Sequence, residues 1–138
     1  MLRVQNFLRT CVIPLVLVVS ACGAGSREFT ATQLVGELND NGAPLQLEGP
    51  LRSEQESVEV YELSISTLDP PTASGHAESG ATVIIADDEG IATTEFDRCE
   101  SAVSLICFRI ANGVLILSDD DPATLSKIEA AVQAMESE

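Results

Sequence analysis

Apolar positions along this chain alternate between two periods. Ala31, Leu34, Val35 and Leu38 fall at the i, i+3, i+4, i+7 spacing of a helix with one apolar face. Thr30 and Gln33 form a capping box before it, and Phe29 and Leu34 are placed as a hydrophobic staple. Asn39-Asp40-Asn41-Gly42 ends the helix. Leu45, Leu47 and Leu51 then share one parity, a short strand in which Pro50 marks an edge or a bend. Arg52 to Ser57 is a polar turn. Val58 to Leu68 is the longest β-like run. Its Val58 and Val60 have one parity, and Tyr61, Leu63 and Ile65 the other. That shift requires a bulge near Val60-Tyr61 or burial on both faces.

The second half repeats the alternation. Ala81 to Ala86 predicts a short buried strand. A second helix is expected from about Asp88 to Ala102, with Ile91, Ala92, Phe96 and Cys99 inward. Leu105 to Ala111 is a strand, and Asn112-Gly113 a two-residue hairpin turn whose positions tolerate positive φ. Val114 to Leu117 is continuously apolar, as expected of a central strand. Asp121 caps a third helix, Pro122 takes its first position, and Leu125, Ile128, Val132 and Met135 form its stripe. Between the halves, Asp69 to Gly80 (DPPTASGHAESG) is too rich in Pro, Gly and small polar residues to bury much, and is expected to be an exposed, mobile loop.

The expected fold class is α+β, in the order α-β-β-β-α-β-β-α. About five strands would form a small mixed, mostly antiparallel sheet, with about three helices. Helices on one face of that sheet would bury every stripe.

The first residues follow a different pattern. Met1 to Thr10 carries Arg3 and Arg9 and no acid. Cys11 to Val19 is almost wholly apolar, and Ser20-Ala21 is small. The apolar run is about nine residues, roughly 14 Å as a helix, against a bilayer core of about 30 Å. A cleavable export signal fits that length. Val19-Ser20-Ala21-Cys22 resembles the lipobox of bacterial lipoprotein precursors, an aliphatic residue, a small residue, Gly or Ala, then cysteine; Val19 stands where Leu is commoner. The resemblance implies that the Cys22 thiol receives diacylglycerol, that the leader is cut before it, and that the new amino group takes an acyl chain such as palmitate. Two or three chains anchor stably where one does not. Residues 1–21 are then a signal peptide, 22–28 the lipidated cysteine with a flexible tether, and 29–138 a single acidic domain with its loop at 69–80. The expected location is the exported side of a cell membrane or envelope.

Removal of the leader changes the charge. Arg3 and Arg9 leave, so 117 residues remain with five basic against 22 acidic, a net charge of −17. Such a surface excludes nucleic acid as partner, because phosphate neutralisation needs clustered Lys and Arg. It also disfavours lying flat on anionic lipid. It favours solubility, cations or basic partners. Of four cysteines, Cys11 is discarded and Cys22 lipidated, leaving Cys99 and Cys107. An even pair in an exported chain is expected to be oxidised, tying the end of the second helix to the next strand.

Candidate chemistry is sparse. Asp87-Asp88-Glu89 and Asp119-Asp120-Asp121 each follow a strand and open a helix. If those strands were neighbours running the same way, the carboxylates would share a rim fit for Ca²⁺. The competing reading, which outweighs it, is that they are helix caps opposing the dipole. His76 is the one histidine and lies in the loop. No nucleophile elbow, P-loop or HExxH motif occurs. The expectation is a lipid-anchored, non-enzymatic interaction or ligand-binding module without cofactor, contacting an envelope protein through the edge near Leu45 to Leu51 or the loop. A divalent-cation module and a small carboxylate-dependent hydrolase are the alternatives.

Overall fold

The computed structural model of the chain describes residues 27–66, 80–118 and 121–137. The leader, Cys22, the loop with His76, and Asp119 and Asp120 lie outside them. The elements are α1 (Ala31–Asp40), β1 (Leu45–Leu51), β2 (Val58–Ile65), β3 (Ala81–Ala86), α2 (Glu89–Glu100), β4 (Ile106–Ile110), β5 (Gly113–Leu117) and α3 (Pro122–Glu136). This is the expected order and the expected α+β class. The strands form one sheet in the order β1-β2-β3-β5-β4, and every pairing is antiparallel.

Both expected helix starts at the ends of the domain are present. Thr30 and Gln33 form the reciprocal capping box of α1. Asp121 accepts from the Thr124 N–H, with Pro122 at the start of α3. Leu34 and Leu38 of α1 and Ile128 of α3 are fully buried. They pack with Leu63, Val83, Leu115 and Leu117 in the larger core. A buried side chain of this size contributes about 1.5–3 kcal/mol.

Three expectations are corrected. First, the helices are not all on one face. Alternate residues of the central strands serve two cores: Val83, Ile85, Leu115 and Leu117 face α1 and α3, whereas Ile84, Ala86, Val114 and Ile116 face Ala92, Ile91 and Phe96 of α2. The parity shift in β2 has the same cause. Its pairing with β3 is continuous, so Val58 and Val60 serve the α2 side, and Tyr61, Leu63 and Ile65 the other.

Second, the irregularity is in β1, between Leu47 and Gly49. Leu51 therefore pairs with Val60, on the opposite face from Leu45 and Leu47, and is exposed.

Third, the hairpin turn is Ala111-Asn112, closed by the pair Ile110 and Gly113. Ala111 takes the positive φ, at 51°. Gly113 is a strand residue kept small for another reason: a Cβ there would overlap Leu34 Cδ2 and press on the Ile110 carbonyl. Gly113→Ala is expected to cost about 1–3 kcal/mol by overpacking. Ala111→Gly relieves a left-handed residue and is expected to gain about 1 kcal/mol. Urea unfolding of the two variants checks both signs.

Candidate functional site

One described residue of each acidic cluster, Asp88 and Asp121, takes a helix-cap position. Asp88 accepts from the Ile91 N–H at 2.8 Å, and Asp121 from the Thr124 N–H at 2.9 Å. Their strands, β3 and β5, are neighbours but antiparallel. Asp87 and Asp88 therefore leave one end of the sheet and Asp121 the other, a strand length of roughly 17 Å apart at about 3.4 Å per residue. The shared rim that a joint cation site needs is not formed. Among the described residues no three His, Cys, Asp or Glu side chains gather as metal ligands.

The Asp121 carboxyl is held below its ordinary pKa, chiefly by the Thr124 hydrogen bonds. A group of this sign contributes stability fully above the ordinary carboxylate pKa and loses it as pH falls through the lowered value. Asp121→Asn keeps a capping oxygen but does not titrate. It is expected to flatten that part of the acid limb in thermal melts while leaving neutral pH nearly unchanged.

The sheet has two edges, and they differ. β1, the edge expected to receive a partner, is blocked in three ways. The outward N–H of Leu45 donates to Asn39 Oδ1 at 3.1 Å, and its carbonyl accepts from Asn39 Nδ2 at 2.7 Å. The Asn39 amide thus stands where a neighbouring strand would pair. The bulge after Leu47 and the missing N–H of Pro50 interrupt the rest.

β4 carries none of these devices. In a two-residue hairpin the closing pair is doubly hydrogen bonded, and bonded and non-bonded pairs alternate from there. Ile110 with Gly113 closes this one, so Phe108 and Ile106 also turn their backbone groups to β5. Cys107 and Arg109 turn their N–H and C=O groups away from the sheet. Among the described residues nothing pairs with them.

An open groove of about 420 Å³ lies along this edge. Phe96 of α2 forms one wall, and Cys107, Phe108 and Arg109 of β4 line the groove. The other wall is α3, with Val132 at its base and Glu129, Gln133 and Glu136 exposed on it. Sequence and topology place these walls. The antiparallel order leaves β4 outermost, and the two-faced sheet puts α2 on one side and α3 on the other. The Cys99–Cys107 disulfide, with Cα atoms 6.2 Å apart, joins the end of α2 to the second residue of β4.

Another acid was missed by the sequence pattern. Glu95 is on the buried side of α2, at 6 % exposure. Both of its oxygens accept from one Arg98 nitrogen, at 2.8 and 2.9 Å. The i, i+3 spacing of Glu95 and Arg98 was the available signal.

No known protein family matches the chain, and no curated protein or solved structure is similar to it.

Proposed function

We propose that this chain is a lipid-anchored protein of the bacterial cell envelope, held by acyl groups on Cys22, whose acidic domain works by non-covalent binding in the β4 groove. The lipobox resemblance supports the address. The observation that carries the role is the unpaired β4 edge lying between two helices, while the opposite edge, β1, is closed off. An unpaired edge within a groove is the usual receptor for an extended peptide. Glu129 and Glu136 support binding over hydrolysis: they stand on one helix, about 10 Å apart along its axis at 1.5 Å per residue, rather than flanking a bound bond from opposite sides.

The test has two arms in the same cells. Labelled palmitate is expected to enter the wild-type protein and to be absent from Cys22→Ala, which leaves the membrane fraction. A photo-crosslinking amino acid at Gln133 is expected to give a discrete adduct, and one at Gln46 on β1 none. A soluble, unlabelled wild-type protein overturns the address. Adducts from Gln46 alone, or from neither position, overturn the role.

A further inference from the structure

Granting that the β4 groove is a binding site, we infer that its occupant is an extended segment of a partner protein that adds to β4 as a sixth strand, with basic side chains toward α3 and apolar side chains toward α2. Three observations lead there.

The first is backbone geometry. The outward N–H and C=O groups of Cys107 and Arg109 follow from the hairpin register. They are spaced two residues apart, the repeat of an antiparallel partner strand. A helix or a compact ligand does not satisfy them in that order.

The second is the chemistry of the walls. Residues of an added strand alternate between faces. One set meets α3, where Val132 is apolar and Glu129 and Glu136 stand exposed above it. Among the described residues neither glutamate lies within ion-pair distance of a basic group. A Lys or Arg fits this wall, with its aliphatic stem on Val132 and Phe108 and its charge at the carboxylates. The other set meets half-buried Phe96 and the Cys107 side of β4, where the one charged lining residue is the cation Arg109, so this side takes apolar rather than basic side chains.

The third is net charge, which decides between a foreign segment and a second copy. The chain carries −15, and pairing β4 with β4 brings two acidic walls and two anionic domains together. Charge of one sign keeps such domains apart. A basic segment has the opposite relation: it is drawn to the groove, and salt weakens the attraction.

The experiment uses the full lipidated chain in neutral detergent and three blocked synthetic peptides. These are Lys-Val-Lys-Val-Lys, Glu-Val-Glu-Val-Glu, and the lysine peptide with alternate backbone amides methylated. The lysine peptide is expected to bind about ten-fold or more tightly than the glutamate peptide, with affinity falling as salt rises. It is expected to slow amide exchange at Cys107 and Arg109. Methylation of its backbone is expected to abolish that protection, and Glu129→Gln with Glu136→Gln to weaken binding several-fold. Equal binding of the two charge forms overturns the basic partner. Binding without protection of the Cys107 and Arg109 amides overturns strand addition. Absence of binding by all three peptides overturns the inference, as does a concentration-dependent dimer that protects the same amides without peptide. The Gln133 adduct separates these failures from failure of the site: where it persists, the groove remains a binding site and only its occupant is wrong.

Discussion

Asn112→Ala is expected to lower the unfolding free energy by about 3 kcal/mol, the largest loss from any single side chain outside the apolar cores. Asn112 is 4 % exposed although it sits in a hairpin turn. Its Oδ1 accepts from the Phe29 N–H at 2.7 Å, and its Nδ2 donates to the carbonyls of Phe29 at 3.1 Å and Ala86 at 3.0 Å. One amide thereby joins the segment entering α1, the end of β3 and the β4–β5 turn. Each bond contributes about 1 kcal/mol net, and each buried group left without a partner costs about 1–3 kcal/mol more. Urea unfolding with an unchanged m-value measures the loss. Asn112→Asp adds a sign. Its carboxylate still accepts from Phe29 but faces two carbonyls in a buried site, which raises its folded pKa. The variant is therefore most stable below the ordinary carboxylate pKa, and loses stability as pH rises through the raised value.

Reduction of Cys99–Cys107 is expected to cost about 2–3 kcal/mol, from the closure entropy of a short loop. The two cysteines are 8 residues apart, so the loop is small and the loss falls at the low end for native bridges. The melting temperature is expected to fall on the order of 10 °C. The effect is also local. Cys99 is on the buried side of α2 and Cys107 lines the groove, so the bridge holds one wall of the groove to its floor. Melts with and without reductant measure the first effect, and amide exchange along α2 the second. The Cys99→Ala, Cys107→Ala double variant is expected to behave like the reduced protein and to ignore reductant.

Much of the fold was legible because its signals are local. Thr30, Gln33, Asp121 and Pro122 mark helix starts within four residues of sequence, and the stripes of α1 and α3 face the larger core as Ile91, Ala92 and Phe96 of α2 face the smaller one. The hairpin was legible to within one residue. Gly113 drew the turn toward itself because glycine tolerates positive φ, but its smallness serves Leu34, a residue 79 positions earlier that packs on it. The helix arrangement was not legible, since a run such as Val114 to Leu117 is apolar on both sides and does not say which helix covers which face. The acidic clusters looked alike in sequence, and only the antiparallel relation of β3 and β5 separates them. The groove was hidden for the same reason. Phe96, Arg109 and Glu129 come from three elements, and no spacing announces that β4 ends up outermost. Asn112 read as a turn residue, because its partner Phe29 is 83 positions away.

Binding in the envelope requires β4 to be the occupied edge and β1 the closed one. Hydrogen–deuterium exchange read by mass spectrometry, on the protein in its native membranes and again purified in detergent, tests this most directly. The β4 segment holding Cys107 and Arg109 is expected to exchange markedly more slowly in the membranes than after purification, while Leu45 to Leu51 exchanges alike in both. Equal β4 exchange in the two samples, or protection gained at β1 instead, would contradict binding at β4.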